Sequence, residues 1–357
     1  MGRPAFARTA AWRSMGDGLR VIKVAVCVPV RDEAQRLPAL LAALARLDRD
    51  GLSVHACLYL DGCSDGSEAA ARAAALPFPL HLSVGAPRAE ANAGRARAAA
   101  MASGLRHAND GDALLLSTDA DSCPRPDWLQ AARAALAVSD VAAGRLVRMG
   151  GAGDTLQTRV ERYYDRLHGY RRLVDPVPWD MGTGCHHGGA ANLAFRAATY
   201  RALGGFAPLP AGEDAALLDD AARAGFRVRR DPAMAVETSS RRVGRAPGGL
   251  AASLRALDVA GLPQVQHPAA AAWQYRRHAA ARAAFTAMDD TAARVRLGAT
   301  IGLSADHVLG VARDCRNAES FAMRIVPAAP EADARVSLAE AERALDGLER
   351  ALCRGAA

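Results

Sequence analysis

The chain runs to 357 residues, half of them apolar but only 5% aromatic, with a formal charge of +7. That is enough for one large domain or two ordinary ones. No apolar stretch reaches the ~18 residues of a membrane span, and no basic run is interleaved with aromatic residues in the manner of a nucleic-acid binder.

The positive charge rests on arginine far more than on lysine. It suits an anionic membrane surface or phosphorylated small molecules, and equally an Ala/Arg bias along the whole chain. Cys27, Cys57, Cys63, Cys123, Cys185, Cys315 and Cys353 are odd in number and scattered, with no Cys-x-x-Cys pair. That argues against a disulfide framework and a zinc knuckle, and for a reducing compartment. Residues 1–20 hold arginines but no continuous apolar run, so they read as a flexible tail with a faint transit-peptide character. A cytoplasmic protein is expected, with peripheral attachment to a membrane surface left open.

The first predicted element is "VIKVAVCVPV" (Val21 to Val30), β-branched and nearly continuous, as in a strand buried on both faces. A helix follows, with Leu37, Leu40, Leu41, Leu44 and Leu47 on one face, Asp32 as its N-cap and Gly51 past its end. "SVHACLYLDG" is a second strand and "SEAAARAAA" a second helix. "FPLHLSVG" is a third strand, "NAGRARAAAMASGLRHA" a third helix and "GDALLLSTDAD" a fourth strand. This alternation predicts an α/β fold with a mainly parallel sheet flanked by helices, and ligands outside the carboxyl ends of its strands. Further on, "ERYYDRLHGYRRL" reads as helix and "VDPVPWDMGTGCHHGG" as loop. "GGAANLAFRAATYRALGGF" reads as strand, helix and Gly-Gly turn. "GEDAALLDDAARAG" reads as helix, and "FRVRRDP" and "MAVETSSR" as two strands. The rest is an Ala-rich helical region, with Ser304 as a cap. The expected division is a tail (1–20), an α/β domain (21–246, split near 125) and a helical C-terminal region (247–357).

Several motifs lie at strand ends. Asp119 and Asp121 in "LLLSTDADSCPRPDWL" suit Mg²⁺ or Mn²⁺, since two carboxylates one residue apart repel unless a cation lies between them. An ordinary acidic turn is the plain alternative. "LDGCSDGS" places Asp61 and Asp65 in a tight turn, with Ser67 able to cap the next helix. Its acids could bind a base or ribose, or merely build the turn. Asn92, Gly94, Arg95 and Arg97 open a helix, where N–H and guanidinium groups favour an anion; a polar helix face is the alternative. Glu213 and Asp214 begin another helix, where the dipole stabilises acids in any case; one of them could deprotonate a hydroxyl. His186 and His187 are adjacent and cannot easily share a metal, so "CHHGG" reads as pocket lining or loop.

In order and spacing, "VAVCVPVRDEAQRLPALLAAL", "LDGCSDGS", "NAGRARAAA", "GDALLLSTDADSCPRPDWL", "ANLAFRAATYRALGGF" and "GEDAALLDDAARAGFRV" closely resemble the family 2 glycosyltransferases of the GT-A fold, over roughly Val21 to Arg242. The resemblance implies that Pro29, Val30, Arg31, Asp32, Glu33 and Asp61 hold the nucleotide of a sugar-nucleotide donor, with Asp65 supporting that turn. It implies that Arg95 lies near the donor, and that Asp119 and Asp121 bind Mg²⁺ or Mn²⁺ at the diphosphate. Asp214 would be the catalytic base, with Glu213 second, and transfer would invert the anomeric centre. His187 and Trp179 would touch the acceptor, whether small molecule, glycan or lipid-linked. "RDE" (Arg31 to Glu33) departs from the family's usual turn. The Gln-x-x-Arg-Trp motif and membrane helices of processive synthases are absent from this sequence, which favours transfer of a single sugar. A homodimer is left open.

Other readings compete. A haloacid-dehalogenase phosphatase carries Asp-x-Asp on its first strand, not its fourth. A nucleotidyltransferase needs a Gly-rich loop where "PVRDEAQR" has no glycine. A non-catalytic nucleotide-sugar binder would not need Asp119, Asp121 and Asp214 together, and no Gly-x-Gly-x-x-Gly supports a Rossmann dehydrogenase.

Overall fold

A computed structural model describes residues 21–355 apart from 88–89, 109–111, 150–154, 183, 243, 245–249 and 261–262. The expected tail, residues 1–20, lies outside the described residues. The strand–helix alternation read from the sequence is present as β1 (Ile22–Val30), α1 (Leu37–Ala45), β2 (Leu52–Asp61), α2 (Ser67–Arg72), β3 (Leu80–Gly85), α3 (Ala93–His107) and β4 (Leu114–Ser117). Then come β5 (Ser122–Pro124), α4 (Trp128–Val138), β6 (Val141–Arg148), α5 (Leu156–Val174), β7 (Leu193–Arg196), α6 (Ala197–Ala202), α7 (Glu213–Arg223) and β8 (Val228–Thr238).

These strands form one mixed sheet in the order β3-β2-β1-β4-β7-β6-β8-β5. It is parallel from β3 to β4 and turns antiparallel where β7 enters beside β4. Side-chain alternation along β1 explains why that strand is apolar throughout. Val24, Val26, Val28 and Val30 pack on the side of α1 and α4, with Leu37, Leu40, Leu44 and Trp128. Ala25 and Cys27 face the other layer, with Met101 of α3, Phe195 of β7 and Leu217 of α7. Both faces being covered, each buried leucine or valine contributes on the order of 1.5–3 kcal/mol.

The structure corrects the sequence reading at three places. Asp32 does not cap α1: the N-cap is Arg36, with Pro38 in the first turn. Asp32 instead sits at φ +51° and accepts hydrogen bonds from the Ser64 backbone N–H and hydroxyl. Ser67 is not a cap either. It is the first residue of α2, and its hydroxyl accepts from the Glu33 N–H at 2.8 Å. Finally, "FRVRRDP" and "MAVETSSR" are not two strands but parts of the single strand β8, which crosses Pro232. A register shift at Gly144/Arg145 of β6 absorbs the irregularity opposite that proline.

The C-terminal region is helical: α8 (Leu250–Ala260), α9 (Pro268–Ala284), α10 (Thr291–Ile301), α11 (Ala305–Arg313), α12 (Ala318–Ile325) and α13 (Leu338–Gly355). A small antiparallel pair, β9 (Gln264–Gln266) with β10 (Arg335–Ser337), was not anticipated. This region shares a core with α5: Tyr163, Leu167 and Tyr170 pack among Ala271, Leu338 and Leu345. Arg166 of α5 adds ion pairs to Asp346 at 2.6 Å and Glu349 at 2.5 Å.

Candidate active site

The carboxyl ends of β1, β2, β4 and β8 and the N-termini of α3 and α7 surround a cleft of about 450 Å³. Pro29, Val30, Arg31, Glu33, Asp61, Asp119, Asp121, Glu213 and Asp214 all line it. These residues, nominated from the sequence, thus share one cleft. Gly94 lets the start of α3 meet the loop that leads into α7, because a Cβ there would lie 2.0 Å from the Ala207 carbonyl oxygen. The Gly94 N–H donates to Leu209 O at 2.9 Å.

Arg95 does not reach this cleft. It follows the cap Asn92, to whose side chain its N–H donates at 2.8 Å, and its own side chain is exposed. Two residues on, the helix has turned by about 200°, and Arg97 points inward. Buried, Arg97 spans the cleft floor, donating to Asp119 at 3.0 Å, Glu213 at 3.2 Å and Ser117 at 3.0 Å. These two carboxylates outweigh the opposing effect of burial and raise the pKa of the guanidinium.

Glu213 is therefore neutralised by a buried ion pair. Asp214 is not: its Oδ2 accepts from the Ala190 N–H at 3.1 Å and its Oδ1 from the Ala215 N–H at 2.7 Å. Ala190 begins a 3-10 turn, Ala190–Asn192, that is pinned by the buried Asn192 side chain. Asn192 donates to Arg145 O and Met234 O and accepts from the Trp128 indole at 2.8 Å.

Asp119 and Asp121 line the same cleft. Burial first, and then the neighbouring Asp119 charge, push the Asp121 carboxyl up to about 6. Arg241 opposes this, with Nη2 3.3 Å from Asp121 and 2.5 Å from Glu33. Sequence reading missed Arg241, which lies in an unremarkable "SSRR" run beyond β8. Two crowded carboxylates facing a guanidinium form an oxygen donor set that suits Mg²⁺ or Mn²⁺, whose other positions water and phosphate oxygens normally fill. His55–His81–His107 and Asp165–His186–His187 also bring possible ligand atoms within 4.8 Å of one another, but neither group lines this cleft.

The remaining candidates divide. Asp65 does not line the cleft: it accepts from the N–H groups of Ala34 and Ser67, each at 2.9 Å, and so ties the turn after β1 to the turn after β2. Arg31 donates to Asp61 at 3.2 Å on the cleft wall. Trp179 lines a second cavity on the far side of Asp214. His187 lines neither: its Nδ1 is buried without a hydrogen-bond partner. Its neighbour His186 lines the second cavity and pairs with Asp165 at 2.7 Å.

Among solved structures, TarS 1-349 of S. aureus in complex with UDP-GlcNAc is 15% identical, covers 84% of this chain and 90% of its own, and has a TM-score of 0.48. The mannosyltransferase PcManGT of Pyrobaculum calidifontis, in complex with GDP-Man and Mn²⁺, is 19% identical over 93% of this chain and 79% of its own, at 0.46. Glucosyl-3-phosphoglycerate synthase of Mycobacterium tuberculosis is 18% identical over 71% and 87%, at 0.42. In a longer TarS structure the match spans 37% of that chain. Likenesses this remote carry no argument about chemistry. No curated protein matches the chain. The family model described as "Glycosyl transferase family 2" does match, over residues 25–192, a span that contains β1, the Asp119–Asp121 pair and the Ala190 turn. Residues 25–192, just under half of the chain, thus match a glycosyl transferase family 2 domain.

Proposed function

We propose that the protein transfers one sugar from a nucleoside-diphosphate sugar to an acceptor hydroxyl, with inversion and with the help of a divalent cation. The observation that carries this is the single cleft lined by Asp119, Asp121 and Asp214 together. Pro29, Val30, Arg31 and Asp61 offer the wall for the nucleoside, and the Asp119–Asp121 pair suits the diphosphate. A bound Mg²⁺ or Mn²⁺ would supply charge neutralisation to the departing diphosphate.

Asp214 is the base. Its two N–H donors fix the carboxylate's orientation while leaving it free of any ion pair among the described residues. As the acceptor oxygen bonds to the anomeric carbon, the bond from that carbon to the diphosphate oxygen breaks. The hydroxyl proton passes to Asp214. Attack from the side opposite the leaving group inverts the centre. Glu213 keeps Arg97 in place through their ion pair.

The test is a thermal-shift panel of UDP, GDP, dTDP and CDP with and without Mn²⁺, on wild type and Asp121→Asn. One nucleotide is expected to stabilise the wild type only with Mn²⁺, and the variant is expected to lose that gain. No shift with any nucleotide would sink the reading.

A further inference from the structure

Behind Asp214 lies the second cavity, of about 480 Å³, lined by Arg171 and Arg172 of α5, Trp179, Arg230 of β8, and Glu319 and Met323 of α12. Asp214 and Gly189 belong to both cavities. We propose that this chamber binds the acceptor, and that the acceptor carries a carboxylate or phosphate group seated at Arg171, Arg172 and Arg230, with its hydroxyl directed at Asp214. The proposal rests on the transferase reading above.

Several arginines elsewhere in this molecule are satisfied by carboxylates. Arg97 has Asp119 and Glu213, Arg282 has Asp175 and Glu319, and Arg166 has Asp346 and Glu349. The chamber differs. Of its own acids, Glu319 is taken by Arg282 at 2.7 Å and Asp219 by Arg223 at 2.5 Å. Asp180 accepts the Arg230 backbone N–H at 2.8 Å and stands 3.6 Å from Arg172. Among the described residues neither Arg171 nor Arg230 has a carboxylate partner; Arg171 lies over the Tyr275 ring, 5.3 Å from its centroid. The Nε atoms of Arg171 and Arg172 are buried without a hydrogen-bond partner.

The surrounding groups register this excess. Burial first, then Arg230, Arg172 and Arg171, bring His168 down to about 2. Burial and then Arg171 bring His278 down to about 3. Arg172 itself is lowered to about 10 by burial and by Arg171. A set of guanidinium groups that repel one another beside an open cavity is relieved by an anion, and planar N–H forks match carboxylate and phosphate oxygens. Trp179 offers an apolar wall for the rest of the molecule.

The test compares glycerol, glycerate and glycerol 3-phosphate, which share hydroxyls and differ in charge. Each is titrated against the full chain with the donor cleft filled by Mn²⁺ and the nucleotide that the thermal-shift panel selects. Both thermal shift and calorimetric affinity are read, on wild type, R230Q and R230K. At least one anion is expected to bind ten-fold or more tightly than glycerol. R230Q is expected to lose that preference while keeping its nucleotide shift, which reports that it folds, and R230K to keep part of it. Preference for glycerate names a carboxylate, and preference for glycerol 3-phosphate a phosphate. Equal binding of all three, or full anion binding by R230Q, overturns the proposal. A panel in which no nucleotide binds strikes the transferase reading instead, and the same titration without nucleotide still reads the chamber.

Discussion

At the scale of single residues, the adjacent acids at the start of α7 do different work because their surroundings differ. Glu213 is 5% exposed and ion-paired, whereas Asp214 is held by N–H groups between two cavities. Asp214→Asn is expected to lower kcat by about 10²–10⁴-fold, the usual range for a lost general base, with the nucleotide-induced thermal shift unchanged. Glu213→Gln acts on folding: it leaves Arg97 partly unpaired, and breaking a buried pair costs about 3–5 kcal/mol. Turnover and urea denaturation of both variants separate the roles, and equal losses of turnover at normal stability would contradict the assignment. Residue chemistry alone nominates both acids, and the family resemblance puts Asp214 first; the structure adds a physical reason, since Glu213 is tied to Arg97. Arg97 was itself hard to rank above Arg95, because both stand in one Arg-rich helix opening and only the direction of the helix tells them apart.

At the scale of elements, α3 shows how closely a helix is fitted to the sheet. A Cβ on Gly104 would lie 2.4 Å from Cys27 Sγ and 3.2 Å from Ala25 Cβ, both on the fully buried middle of β1. Alanine is the better helix former by about 1 kcal/mol, yet overpacking costs about 1–3 kcal/mol. Gly104→Ala is therefore expected to lower Tm. In α13 nothing lies within 4 Å of the corresponding Cβ position on Gly347, so Gly347→Ala is expected to raise Tm. Melting curves of the two variants decide it; a stabilised Gly104→Ala would refute the packing argument. Elements such as β1 were legible because nine successive residues, "IKVAVCVPV", suit a strand covered on both faces. β8 was not, because Pro232 interrupts its pattern and the compensating shift lies on β6, almost ninety residues earlier.

At the scale of the whole molecule, the helical C-terminal region and the sheet domain meet in a zone rich in buried histidine and arginine. His168 and His278, 6% and 4% exposed, are held neutral when folded and regain an ordinary pKa near 6.5 when unfolded. Below about pH 6.5 the unfolded chain takes up protons that the folded one refuses. Stability is therefore full above that pH and lost as the pH falls towards the folded values of about 2 and 3. The slope is up to about 1.4 kcal/mol per pH unit for each histidine. Urea titrations from pH 7.5 to pH 5 are expected to show a falling midpoint, and a His278→Gln variant a shallower fall. A midpoint that holds constant would contradict this. None of the arrangement was legible beforehand, because Arg171, Arg172 and Arg230 look like ordinary members of an Arg-rich chain until the fold leaves two of them without acids. The family resemblance likewise stopped near Arg242 and said nothing of what the later helices build.

The helix α12 lies well outside residues 25–192, yet Glu319 and Met323 form part of the wall around the chamber behind Asp214. The donor cleft draws no residue from that helix. On the acceptor proposal made above, substitutions on the inner face of α12 are expected to change which molecule is glycosylated while leaving the lining of the first cleft untouched. For anyone wishing to redirect the protein, residues 318–325 are the segment to randomise first.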